Sequence, residues 1–106
     1  NYLARKEFEV GMYYLKNNAP SPAINRFSNI IKNYQGSSIV PQTLYRMYEA
    51  FEMLKLEDKS NQTFKILKYN FPKSKWTQEI SNIENNNLVE DPSYFKNIMN
   101  KVLSIF

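Results

Sequence analysis

Apolar side chains recur along this chain at steps of three and four, the spacing of one face of an α-helix. A first helix over residues 2–17 carries Leu3, Val10 and Tyr14 near one stripe, with Arg5 and Glu9 an i,i+4 step apart on its wet side. Asn17-Asn18-Ala19-Pro20 ends it, and Ser21-Pro22 supplies a capping oxygen and a first-turn proline for a second helix. That helix, from Pro22 to about Tyr34, places Ala23, Phe27, Ile30, Ile31 and Tyr34 on one face. Gly36 is the residue best able to take a positive φ at the next break, Ser37 or Ser38 can cap the third helix, and Pro41 falls early enough to be tolerated. The third helix runs to about Leu56 with the clearest stripe of all: Leu44, Met47, Phe51 and Leu54. Glu57-Asp58 opens a fourth, with Phe64, Leu67 and Phe71 on one side and Pro72 just past its end. A fifth stretch, from Ser74 to about Asn85, holds Trp76, Ile80 and Ile83 in line until Asn85-Asn86-Asn87 dissolve the pattern. Asp91-Pro92 then starts a last helix rich in apolar residues, from Tyr94 to Phe106. No stretch sustains a period of two, so the expected fold is all-α.

The pattern also repeats. Asn33-Tyr34-Gln35-Gly36-Ser37-Ser38-Ile39 returns as Asn70-Phe71-Pro72-Lys73-Ser74-Lys75-Trp76, 37 residues from Tyr34 to Phe71. A helix pair of about this length cannot bury its apolar face alone and stacks on its neighbours. The expectation is one domain, residues 1–106, built as an antiparallel helix-pair (tetratricopeptide-like) solenoid. Its units are residues 2–36 and 37–73, with C-terminal helices over 74–106, the last of them a cap. Val10-Gly11, Tyr14, Ala23 and Phe27 match the tetratricopeptide pattern in the first unit, and Leu44, Met47, Phe51, Phe64 and Pro72 in the second. Three positions depart from it: Glu7 stands where a large apolar residue is expected, Gln35 where Pro is expected, and Tyr48 in a small-residue slot. Small residues such as Gly11 and Ala23 let two helices approach closely, while Tyr14, Phe27, Phe51 and Phe64 fill the space between hairpins.

Composition narrows the chemistry. Cysteine and histidine are both absent, which removes disulfides, thiolate nucleophiles, Cys/His metal sites and the commonest general base at neutral pH. No run of apolar residues approaches the roughly 20 a membrane span needs. The net charge of +4 is spread out: seven basic against four acidic side chains in residues 1–56, five against three in 57–80, two against three in 81–106. Lys65, Lys68, Lys73 and Lys75 with Trp76 are the nearest approach to a phosphate-binding patch and read as a solvated face, so no nucleic-acid partner is expected. Glu49 and Glu52 imitate a catalytic carboxylate pair, but Arg46 and Lys55 are placed to pair with them. Only two glycines are present, too few for a phosphate-cradling loop. The chain is expected to be no enzyme and to carry no cofactor or metal. Asn1 opens directly into an amphipathic helix without a leader, as expected of a piece of a longer precursor.

Four segments together, Tyr13-Tyr14-Leu15-Lys16, Ala23-Ile24-Asn25-Arg26-Phe27, Asn33-Tyr34 with a nearby Ser, and Leu44 through Phe51, resemble the C-terminal part of BamD-type lipoproteins of the bacterial outer-membrane β-barrel assembly machinery. The resemblance covers roughly residues 2–72. It implies a non-catalytic scaffold at the periplasmic face of the outer membrane, held there by a lipid on a cysteine outside this stretch. It also implies docking to a POTRA domain of a BamA-type barrel protein, with Arg26, flanked by Asn25 and Asn29, pairing with an acidic residue of that partner. The competing reading of Arg26 is a solvated charge. Tyr45 is a further partner-facing candidate because it falls off the Leu44-Met47-Phe51 stripe. An alternative from the same fold is a generic peptide-binding adaptor, which needs a cluster of Lys, Arg and Asn along the groove. The apolar last helix either caps the stack or brings two copies together as a homodimer.

Overall fold

The computed structural model of the chain describes residues 1–89, with side chains at the end of its last helix as far as Asn85. The helix expected from Asp91 to Phe106, with its capping or dimer-forming role, lies outside the described residues. Five helices succeed one another: α1 (Tyr2–Lys16), α2 (Pro20–Asn33), α3 (Val40–Met53), α4 (Glu57–Asn70) and α5 (Lys75–Val89). Among the described residues every regular element is a helix. The chief packing is α1 on α2, α3 on α4, and α2 on α3, with α5 resting on both α3 and α4. This is a stack of helix pairs of the tetratricopeptide kind.

The 37-residue repeat reaches down to single backbone hydrogen bonds. At the end of α1 the amides of Asn18 and Ala19 donate to the carbonyls of Leu15 and Tyr14; at the end of α3 those of Lys55 and Leu56 donate to Glu52 and Phe51. Both are Schellman caps, and each needs a left-handed residue, which Asn18 (φ 60°) and Lys55 (φ 58°) supply. Between the pairs, Ser37 N–H donates to Tyr34 O as Ser74 N–H does to Phe71 O. The Ser37 and Ser74 hydroxyls accept from the amides of Ile39 and Trp76. The start of α5 therefore repeats the start of α3, and α5 stands where the first helix of a third unit would.

Several expectations shift. Gly36 does not adopt a positive φ; the left-handed positions are in the tight turns inside each pair, not in the breaks between pairs. Helix α2 begins at Pro20, with Ala19 as its cap residue, and Ser21 caps nothing, because Pro20 already occupies the first turn where no amide is needed. On α1 the buried stripe is Ala4, Phe8 and Gly11, while Leu3 is 57% exposed; Val10 and Tyr14 lie at the edge. Arg5 and Glu9 form no ion pair. Helix α3 stops at Met53, leaving Leu54 partly exposed in the cap, and buries Tyr48 and Ala50 beside Leu44. Helix α5 continues through Asn85-Asn86-Asn87 to Val89.

The core joins Ala23, Phe27 and Ile30 of α2 to Phe8 of α1, Leu44 of α3, Leu67 of α4 and Ile80 of α5. The ring of Phe27 is fully buried, 5.7 Å from that of Phe8. Gly11 permits this: a Cβ there would lie 2.8 Å from Cδ1 and 3.0 Å from Cζ of Phe27, and closer still to Cε1. Among the described residues the buried serine and threonine hydroxyls are satisfied. Thr43 and Thr63 donate one turn back along their helices, Ser60 donates to Glu57 O, and Thr77 of α5 donates across the break to Phe71 O at 2.6 Å.

Candidate functional site

Antiparallel packing sets the first half of α1 beside the second half of α2, at the end of the pair away from the Asn17–Ala19 turn. A shallow groove of about 400 Å³ opens there, with Leu3 and Tyr34 as its apolar part and Lys6, Glu7, Arg26 and Asn29 as its polar part. Arg26 immediately precedes the buried Phe27 on α2, so its own side chain leaves the helix to one side of the core stripe. Its side chain is only partly exposed, as is usual for a long basic residue at the edge of a core.

One carboxylate organises this groove. Arg26 Nη1 donates to Glu7 Oε1 at 3.1 Å, and Asn29 Nδ2 donates to Glu7 Oε2 at 3.1 Å. The Arg26 side chain is 43% exposed and that of Glu7 only 23%. Arg26 and Asn29 lie three residues apart on one face of α2, so a single carboxylate from α1 reaches both. Of the expected partner-binding residues, Arg26 and Asn29 thus come together. Asn25 is exposed on α2 but does not line the groove.

Tyr45 lies elsewhere. It is partly buried, its ring 5.0 Å from that of Trp76 on α5. The Arg46 guanidinium sits 5.1 Å from the Tyr45 ring and 5.6 Å from that of Trp76, and pairs with Glu49 one turn on. This cluster ties α3 to α5. Burial, with Glu49 adding to it and Arg46 opposing, holds the Tyr45 hydroxyl above its ordinary pKa of 10.0. Glu52 does not pair with Lys55; its Oε1 lies 3.3 Å from the Ser60 hydroxyl of α4, whose one proton is shared between this carboxylate and Glu57 O. Lys65, Lys68, Lys73 and Lys75 are exposed, with Lys68 over Phe64 and Lys75 over Trp76.

The residue that sequence reading passed over is Glu7. Its signal was present, since it stands where the repeat pattern expects a large apolar side chain. What was missing is the neighbour 19 residues away that makes a charge there sensible. Among the described residues no group of acidic side chains is placed to hold a metal ion, and no helix is long and apolar enough to cross a membrane.

The profile of the YfiO outer membrane lipoprotein family matches residues 1–67. The chain is 43% identical over 76 residues to the outer membrane protein assembly factor BamD of Rickettsia prowazekii, covering 72% of this chain and 30% of that protein. It is 35% identical over 85 residues to BamD of Caulobacter vibrioides, covering 80% and 28%. Against BamD of Neisseria gonorrhoeae it is 35% identical over 72 residues, covering 68% and 27%. The chain therefore spans less than a third of the length of these relatives. No solved structure matches it. The matched stretch contains both helix pairs almost whole and the entire Glu7–Arg26–Asn29 groove, and on it the chain belongs to the YfiO outer membrane lipoprotein family, alongside the BamD assembly factors.

Proposed function

We propose that this chain is a docking module of an outer-membrane protein assembly factor, acting as a non-catalytic scaffold at the periplasmic face of the outer membrane. Its partner is a POTRA domain of a BamA-type barrel protein, and the full-length protein is anchored by a lipid outside this stretch. The observation that carries the reading is the Arg26 guanidinium. It is held at a groove mouth on a side chain that is 43% exposed, with apolar surface from Leu3 and Tyr34 beside it. Such a group suits a partner carboxylate flanked by an apolar side chain, because a guanidinium presents two parallel donors to one carboxylate.

Replacing Arg26 tests it. In the full-length protein, Arg26→Ala is expected to weaken binding of the purified POTRA-domain array by roughly tenfold or more while leaving the helical circular dichroism and the urea midpoint close to wild type. A steeper salt dependence of the wild-type association than of the variant accompanies this. Unchanged affinity, or loss of the fold, overturns the assignment.

A further inference from the structure

We infer that Glu7 is a positioning residue for partner docking, whose carboxylate sets the Arg26 guanidinium and the Asn29 amide in one orientation at the groove mouth; the inference rests on the docking reading of Arg26. Three observations carry it. Glu7 replaces the large apolar side chain that the repeat pattern places at the helix–helix contact, so its carboxylate is an exception to the packing logic of the fold. Both of its oxygens are used, one by each residue of α2, at 3.1 Å. Arg26 spends only Nη1 on it, the rest of the guanidinium makes no hydrogen bond among the described residues, and the side chain is 43% exposed.

An ion pair this exposed adds little to folding stability, because solvent screens it and two long side chains must be held still. The same restraint matters more at docking. A guanidinium already held in place loses less rotamer freedom when a partner arrives, and its unused edge is offered at a set angle. The neighbouring Lys6 keeps the groove mouth cationic although Glu7 offsets one charge. The chemistry of the partner surface that fits is an acidic side chain entering beside Glu7, on the free edge of Arg26.

The test compares Glu7→Leu, Glu7→Gln, Arg26→Ala and the Glu7→Leu/Arg26→Ala double variant in the full-length protein, each titrated with the POTRA-domain array. Glu7→Leu restores the apolar residue of the pattern, so its urea midpoint is expected at or above wild type while affinity falls roughly tenfold. Glu7→Gln keeps shape and an acceptor, and is expected between the two. The double variant is expected to lose less affinity than the two single losses combined, since Glu7 acts through Arg26 as well as Asn29. Wild-type affinity in both Glu7 variants overturns the inference, as does tighter binding, which makes Glu7 a competitor for Arg26. Fully additive losses in the double variant also overturn it. Wild-type affinity in Arg26→Ala strikes the docking reading itself and is told apart by that single variant.

Discussion

Phe27 shows how much one side chain can decide. Its spacing from Ala23 and Ile30 marks it as a core residue of α2, and the fold adds what it meets: the Phe8 ring on one side and the bare backbone of Gly11 on another. Because helices close around the ring from two sides, a hole left there cannot collapse. Phe27→Ala is expected to cost about 3–5 kcal/mol, read as a lowered urea midpoint with an unchanged slope. Arg26, one residue earlier, is the converse. The sequence offered two readings, docking group or solvated charge, and periodicity could not separate them. Its pairing with Glu7 and Asn29 depends on a contact across 19 and 22 residues that no local pattern encodes. Phe8 was overlooked for a related reason: on α1 the Ala4, Phe8, Gly11 stripe contains two small residues, and hydropathy weighs these below Leu3 and Val10.

Among the elements, existence and order came from periodicity, whereas several ends did not. The αL turn positions are Asn18 and Lys55, so a glycine search points to the wrong break. The cost of αL in Asn is small and in Lys larger, and both Schellman caps offset it by satisfying carbonyls that would otherwise stay orphaned. Helix α5 survives its asparagine triplet as far as Val89. Weak propensity there is outweighed by the anchoring of its first half, where Ile80 is fully buried and Thr77 donates to Phe71 O. That bond stitches α5 to the end of α4. Thr77→Val keeps the shape and removes the donor, and is expected to destabilise by about 1–2 kcal/mol. Amide exchange should then speed up in α5 before it does in α1 and α2, which the bond does not touch.

Across the whole molecule, the second pair and α5 bring titratable groups together that lie far apart in sequence. Burial holds the Glu84 carboxyl above its ordinary value of 4.5, with Lys68 of α4 opposing the shift and Glu52 of α3 reinforcing it. Burial, with Glu52 and Glu84 near, drives the Tyr48 hydroxyl far above its own. A carboxyl whose folded pKa is raised binds its proton more tightly in the folded chain, so its contribution is fully present at low pH and is lost as pH rises through the folded pKa. Chemical denaturation of wild type against Glu84→Gln is expected to show wild type losing ground as pH rises out of the ordinary carboxylate range and through the raised folded pKa of Glu84, after which the difference stays level. A wild type that instead gains on the variant over that range contradicts the placement of Glu84 against α3 and α4.

The sequence by itself determined that the described part of the chain is helical throughout, that its helices pair and repeat at a 37-residue offset, that it contains no cysteine or histidine, and which family its segments resemble. These are local properties, set by side-chain spacing and by residue identity within a turn or two. Only the tertiary structure decided which side of α1 is buried, that a carboxylate at position 7 belongs with Arg26 and Asn29, and that Tyr45 packs on Trp76. Those outcomes turn on how one helix is rotated against the next: between α1 and α2 Gly11 and Phe27 meet, and between α3 and α5 Tyr45 and Trp76, contacts whose two sides no single stretch of the chain contains.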